Sequence, residues 1–556
     1  MARFIEIVLD IAVPAVRDWA GQKKDGSRRR GKAPAFVQLL GEALPQLERA
    51  DGDSVARIES VCFDSGSALV RAGWRVAIEA SVDAQRATVW HFEPFSPGVM
   101  IRSAVFDVAI DAPGDASSDA APSDGAHRPA GLAAIPFDDA PAAFREALAM
   151  AGELQPAATL AFARTRWMWP RPDGVVIDVT LDADMGPPDR AEPCLHEMRL
   201  SIALPDEPDD PGSGPGGAVP AAAWQALFAT ARDALAALPA FVQLTDYADR
   251  TCRNRVGAAL TAVRAGGVDL SGARTQREAL AIIGRNVAEH WFGNETGVRD
   301  AADTEFVHQM RVAQRRLRTA MRLFKGWADE AWADRIEPDL KWLGKLLGNA
   351  RDRDVFVDST LPALANADTG AARWAATREA ADVQRLAARA KVQEAMASRR
   401  YANLALAWLE WQTALLSREA PPNSARQSLA KHAKKRIRKP YRRLVETPKL
   451  TTIDEKARHS VRIEAKRLRY ALEFFESIVS RKTRVEVAKT LSRIQSVLGD
   501  GNDAAVALGY LDELNVDAYQ QGFARGWCEA VKRYTAREGE RLLRDLDAPK
   551  IVGGDG

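Results

Sequence analysis

Two hydrophobic rhythms divide this chain of 556 residues. Up to about residue 245, apolar and polar positions alternate in short runs between Gly, Pro, Asp and Ser, the period of half-buried strands. Phe4-Ile-Glu-Ile-Val-Leu-Asp-Ile11 lies in the first strand, residues 1–12. Further strands are predicted near 58–64, 67–81, 86–92, 101–110, 158–168, 174–182 and 194–204, then a helix over 221–241. From about 275 the apolar spacing changes to three and four. Helices are predicted near 275–292, 303–325, 331–348, 352–365, 370–396 and 401–417, with a second set near 425–445, 452–478, 483–498, 503–513 and 517–544. The expected organisation is a β-rich barrel or sandwich over 1–245, a linker over 246–274 and an all-helical region over 275–545. Two antiparallel four-helix bundles side by side would accommodate the helices. Loops 111–131 and 205–220, rich in Asp, Pro, Gly and Ser, are expected to be mobile.

The polar face of one helix is unusual. At about 100° per residue, His308, Arg311, Arg315, Arg318 and Arg322 fall within about 80° of one another. Phe306, Met310, Ala313, Leu317, Met321 and Phe324 cover the other side. Like charges at this spacing destabilise a helix by roughly 0.2–0.5 kcal/mol per pair, so helix formation does not account for the row. A merely solvated face usually mixes signs, yet no acid occurs between Glu305 and Asp329.

The same helix returns 151 residues later. His308-Gln-Met-Arg-Val-Ala-Gln-Arg-Arg-Leu-Arg318 is matched by His459-Ser-Val-Arg-Ile-Glu-Ala-Lys-Arg-Leu-Arg469, with His459, Arg462, Lys466 and Arg469 on the basic face. Val461, Leu468, Leu472 and Phe475 lie opposite. The second copy departs at Glu473, where the first has Arg322, and at Glu464, which interrupts the apolar stripe. The register holds into Leu347-Gly-Asn-Ala-Arg-Asp352 and Leu498-Gly-Asp-Gly-Asn-Asp503. A gapless repeat of this kind indicates two copies of one helical unit, and the repeated chemistry points to anion binding.

The formal net charge of +2 conceals a division. Residues 1–275 carry 27 Lys and Arg against 37 Asp and Glu, and residues 276–556 carry 50 against 38, so the halves stand at −10 and +12. An acidic module joined to a basic one implies a polyanionic ligand for the second and allows a protein partner for the first. Cys62, Cys194, Cys252 and Cys528 are far apart, which indicates neither a zinc site nor a disulfide framework. No signal peptide and no apolar run of membrane-spanning length is evident, so a cytoplasmic location without membrane association is expected.

The densest basic segment is Lys431-His-Ala-Lys-Lys-Arg-Ile-Arg-Lys-Pro-Tyr-Arg-Arg443, eight cations without an acid. Alone it is a weak nucleic-acid signal. Beside two arginine faces it suggests several cationic helices lining one groove, with Lys431, Lys434, Lys435, Arg438 and Arg442 as further contacts. Only Tyr441 and Tyr470 offer stacking near the basic faces, which disfavours a single-strand nucleic-acid reader. Each paired His begins its basic stripe and could donate to a phosphate or orient an Arg. No second His or carboxylate lies at i+4 for a metal, and no acid–base partner is evident, so no catalytic residue, metal or cofactor is assigned here. Leu347-Gly348 reads as a helix end, with Arg351-Asp-Arg-Asp354 starting the next helix by capping or by contacting an anion.

These residues, over about 275–545, resemble the CHAD family, the conserved histidine α-helical domain. The resemblance implies two pseudo-symmetric four-helix bundles, binding of inorganic polyphosphate and association with polyphosphate granules. It assigns polyphosphate binding to His308, Arg311, Arg315, Arg318, Arg322, His459, Arg462, Lys466 and Arg469. The first 245 residues resemble a CYTH (triphosphate tunnel) barrel at Phe4-Ile-Glu6, Gly73-Trp-Arg75, Ala163-Arg-Thr-Arg-Trp167, Ile177-Asp-Val-Thr-Leu-Asp182 and Glu197-Met-Arg-Leu200. The fold class is thus α+β multidomain, an N-terminal antiparallel β-barrel of CYTH type followed by an all-α CHAD domain. That barrel's activity requires a Glu-x-Glu-x-Lys signature, whereas here the register reads Glu6, Val8, Asp10. Glu6, Asp178, Asp182 and Glu197 are left as possible metal carboxylates, and Arg75, Arg164 and Arg166 as possible phosphate contacts. Losing both a metal carboxylate and the phosphate-binding Lys implies an inactive barrel. The alternative is a surviving metal-dependent triphosphatase in the barrel, fed by the helical region.

Overall fold

The computed structural model describes residues 2–12, 36–50, 55–81, 84–110, 132, 135–184, 196–205, 219–246, 248–250, 261–419 and 428–552. The chain forms two compact units, Met1–Leu260 with Ser398–Thr413, and Thr261–Ala397 with Ala414–Gly556.

The first unit is built from β1 (Arg3–Ile11), β2 (Glu48–Arg49), β3 (Ala56–Asp64), β4 (Trp74–Ala80), β5 (Gln85–Ser96), β6 (Val99–Ile110), β7 (Gln155–Pro170), β8 (Val176–Asp184), β9 (His196–Leu204) and β10 (Ala240–Gln243). Antiparallel pairing runs β1-β6-β5-β4-β3-β7-β8-β9 and returns to β1, whose residues Arg3 to Ile11 register against Leu204 to His196. The hydrogen bonding therefore closes into a ring of eight strands, which leaves no long free edge. β6 pairs with Arg3–Glu6 of β1, and β10 takes over at Val8–Ile11.

Two predicted elements differ. The expected strand 67–81 begins as a helical turn at Ala68–Arg71 and becomes strand only at Trp74. Gly73, at φ +83°, makes the reversal, and a Cβ there would lie 2.6 Å from the Phe92 carbonyl oxygen. The predicted helix 221–241 ends at Ala237, and Ala240–Gln243 leaves it to pair with β1. A helix not predicted, α1 (Ala142–Ala151), buries Phe144 and Ala147 against Leu69, Trp74 and Val76. α2 is Ala221–Ala237. Loops 111–131 and 205–220 fall, apart from their edges, outside the described residues.

The second unit contains α3 (Gln276–Phe292), α4 (Thr304–Leu323), α5 (Glu337–Val355) and α6 (Ala375–Met396). After α7 (Arg399–Ala414) come α8 (Leu429–Val445), α9 (Glu455–Phe474), α10 (Ala488–Glu513) and α11 (Ala518–Arg544). α7 groups with the first unit, where Ser96 Oγ lies 2.5 Å from Thr413 Oγ1 and Arg232 pairs with Glu410 at 2.6 Å. Side-chain caps start the helices: Thr275 with Glu278 in a capping box, Asp303, Ser428, Asp454, and Asp517 with Gln520.

The repeat extends to irregular backbone. The 3-10 turn Lys325–Trp327 recurs at Glu476–Ile478, and the π-turn Trp332–Ile336 at Thr483–Val487. α4 lies on α9, and α5 on α10, so like elements meet. Both Leu-Gly segments, predicted to end helices, instead lie inside α5 and α10. Gly costs a helix about 1 kcal/mol, less than the burial of Leu340, Leu343, Leu347 and Ala350 along α5 contributes. Arg351-Asp354 therefore caps nothing: Arg353 pairs with Glu513 at 2.7 Å, and Asp354 with Arg389 at 3.1 Å.

Candidate anion-binding site

The apolar faces of α4 and α9 are buried as their periodicity requires, so their basic faces turn toward one another and toward solvent. Arg311 donates to Asp352 Oδ1 at 2.7 Å and to the Gly348 carbonyl at 3.4 Å, where a Cβ would lie 3.9 Å from its guanidinium. Arg315 donates through Nε to the buried Tyr470 hydroxyl. Its guanidinium lies 5.2 Å from that ring's centroid, and Arg469 lies 4.6 Å from it.

Arg462 and Lys466 differ from these. Both are half-buried, and among the described residues neither has a hydrogen bond or an ion pair. Arg462 Nε is wholly removed from solvent without a partner. Burial, reinforced by Arg462, Arg315 and Arg311, pulls Lys466 down to about 7, against a small opposing effect of Asp503. Burial also lowers Arg462, with Arg315 and Arg311 adding to it and Asp503 and Asp352 opposing. Cations from both copies therefore converge on one centre, in which Arg311 is paired with Asp352 while Arg462 and Lys466 have no ion pair.

The histidines are not equivalent. His308 is half-buried, and its burial beside Arg351, Arg315 and Arg311 takes it down to about 4, so it is neutral at neutral pH. His459 is exposed, with Nδ1 3.0 Å from Asn502 Oδ1. Arg351 and Asn502 are the same position in the two copies. Arg351, which the sequence left between capping and an anion contact, lies beside His308.

The second copy's departures are ion-pair acids. Glu473 accepts from the fully buried Arg316 at 2.7 Å and lies 3.7 Å from Arg469. Glu464 accepts from Arg443 at 2.9 Å and also from Arg467. Arg318 and Arg322 of the first copy are exposed. Lys431, Lys434, Lys435, Arg438 and Arg442 form an exposed face on α8 opposite Leu429, Ala433, Ile437 and Leu444. The charges acting most on Arg462 and Lys466 come from α4, α5, α9 and α10, so the α8 row stands apart from the centre. Tyr470, considered above for stacking, is buried and unavailable.

The ring of the first unit encloses a cavity of about 680 Å³ with a different electrostatic character. Arg102 pairs with Glu6 at 2.9 Å and Arg164 with Asp182 at 2.7 Å. Arg75 forks onto Asp246 at 2.8 and 2.6 Å and also meets Asp249. Arg199 reaches Glu197 and Asp246, both at 3.3 Å, and Arg250 reaches Asp10 at 2.8 Å. Burial alone would raise Asp246, but Arg75 and Arg199 outweigh it and hold it well below its usual range. Among the described residues no three His, Cys, Asp or Glu side chains are grouped to hold a metal. Glu6, Asp182 and Glu197 are engaged by arginine, and burial raises Asp178 against the pull of Arg166. This set does not fit a divalent cation. Cys62 and Cys528 are buried, and no described helix is long and apolar enough to cross a membrane.

Comparison with curated proteins finds no match. Among solved structures, an adenylyl cyclase from Hippeastrum described as having a dominant triphosphatase activity is 13% identical, at TM-score 0.20, over 36% of this chain and 80% of that one. PptA from Streptomyces chartreusis is 21% identical, at TM-score 0.38, over 49% and 99%. The CHAD domain from the plant Ricinus communis is 30% identical, at TM-score 0.43, over 53% of this chain and all of that one. The CHAD family model matches residues 282–512, the stretch that carries both basic helices, and this helical region belongs to the CHAD family.

Proposed function

We propose that the helical unit binds inorganic polyphosphate along the faces of α4 and α9, with His308, Arg311, Arg315, Arg318, Arg322, His459, Arg462, Lys466 and Arg469 as contacts. The observation that carries this is the half-buried Arg462 and Lys466, convergent with Arg311 and Arg315 and themselves without an ion pair. Gathering cations at partial burial is unfavourable, and a flexible polyanion relieves it with charge-assisted hydrogen bonds. Lys431, Lys434, Lys435, Arg438 and Arg442 supply a second row for a long chain. Counterion release makes such binding steeply salt-dependent. The test is calorimetry of the full chain with long-chain polyphosphate. Arg311→Ala with Arg462→Ala is expected to weaken binding at least about tenfold with unchanged circular dichroism; undiminished affinity rejects this face. Excess single-stranded DNA should fail to displace polyphosphate, and displacement charge for charge would make the site a general polyanion binder.

The ring is read as a non-catalytic module of CYTH type. Its missing Glu-x-Glu-x-Lys signature and its arginine-engaged carboxylates support this. Cytoplasmic residence on polyphosphate granules, and a protein partner for the acidic ring, belong to the same proposal.

A further inference from the structure

Beside the cationic centre, the second repeat has a cavity of about 420 Å³ between α9, α10 and α11. Besides His459 and Arg462, its lining includes an apolar stretch, Leu498, Ala536 and the bare backbone of Gly501, with which a phosphate chain cannot pair. α10 and α11 approach so closely there that a Cβ on Gly501 would lie 2.5 Å from Thr535 Oγ1. The volume falls within the range of about 300–1,000 Å³ usual for small-molecule pockets.

The rim orients a ligand. Arg462 lines this cavity and belongs to the centre, with its buried Nε unpartnered. Lys456, Arg458 and Lys532 also line it, with Glu455 paired to Lys532 at 3.2 Å. Arg462 connects the cavity to the centre at Lys466, so phosphates held there leave an uncharged group to lie against Leu498 and Ala536. Asn502 and Thr535 are the polar groups nearest that group. The cavity depends on small residues where the first repeat has larger ones: Gly501 against Ala350 and Asn502 against Arg351.

We propose that this cavity receives the base of a nucleoside polyphosphate whose phosphates lie on the cationic centre. The inference rests on the anion-binding reading above and adds a ligand class to it. Leu498, Ala536 and the lysine stems in the lining suit a flat base better than a polyhydroxylated sugar.

The experiment is calorimetric titration of the full chain with ATP, tripolyphosphate and glucose 6-phosphate at one ionic strength, repeated on Asn502→Arg. That variant copies the first repeat, fills the cavity and adds a positive charge. The expected result is a roughly tenfold weakening of ATP, with tripolyphosphate unchanged or tighter. If Asn502→Arg tightens ATP and tripolyphosphate alike, charge alone is being read and the pocket is refuted. Tighter binding of glucose 6-phosphate than of ATP refutes the assignment of a base. Failure of tripolyphosphate and long-chain polyphosphate to bind the unaltered chain would overturn the anion site itself. Asn502→Lys is the second variant should the arginine disturb the helices, monitored by circular dichroism.

Discussion

Lys466 links anion binding to protons. Its ammonium, drawn down to about 7, faces Arg311 and Arg315 on α4, Arg462 on its own helix and Asp503 on α10. At pH 6 it is roughly nine-tenths protonated and at pH 8 about one-tenth. A phosphate chain beside it favours the charged form and restores the proton. Binding should therefore take up about 0.9 proton at pH 8 and about 0.1 at pH 6, and weaken about tenfold between them, or ~1.4 kcal/mol. His308, held near 4, is neutral in the free protein throughout this window. Stability of the free protein should move the other way. The unfolded Lys binds its proton up to its ordinary value near 10.5 while the folded one releases it near 7, so the fold gains stability as pH rises between them. Proton uptake is read from calorimetric heats in buffers of different ionisation enthalpy, using long chains with few terminal groups. Lys466→Met should abolish the uptake at pH 8. Equal heats in all buffers for the unaltered protein, or uptake that survives Lys466→Met, would refute the argument.

Other outcomes follow from packing and pairing. Gly344→Ala should destabilise by about 1–3 kcal/mol in urea unfolding, because its Cβ would meet the Gln314 amide at 2.5 Å, an amide that donates to the Leu340 carbonyl; Gln314→Ala in the same chain should recover part of the loss. Glu473→Ala leaves the fully buried Arg316 without its carboxylate and should cost about 2–4 kcal/mol, whereas Glu473→Gln should cost less. With Mg²⁺ or Mn²⁺ and tripolyphosphate, the full chain should release no phosphate above a Glu6→Ala control, and release above it would restore the ring as an enzyme.

The repeat and its amphipathic helices were legible because each is a property of spacing along one chain. Burial of Phe306, Met310, Ala313 and Leu317 follows from a period of 3.6, and the basic row had to lie opposite. Glu464 and Glu473 read as flaws in the second copy because their partners, Arg443 and Arg316, come from other helices. Gln314 over Gly344 in the first copy becomes Ala465 under Gln495 in the second, where Gln495 donates to the Ala465 carbonyl at 3.2 Å. That exchange of large for small conserves volume across a contact, which a periodicity cannot register. The Leu-Gly segments misled because local propensity is worth about 1 kcal/mol, and burial along a whole helix face outweighs it.

By itself the sequence determined the two copies, their helices and the cationic faces. Only the tertiary structure decided which cations have partners. Arg311, Arg316 and the ring arginines find carboxylates, while Arg462 and Lys466 are left half-buried without one. Charge pairing is a through-space quantity that falls with distance and rises with burial, and neither distance nor burial is written in the order of residues.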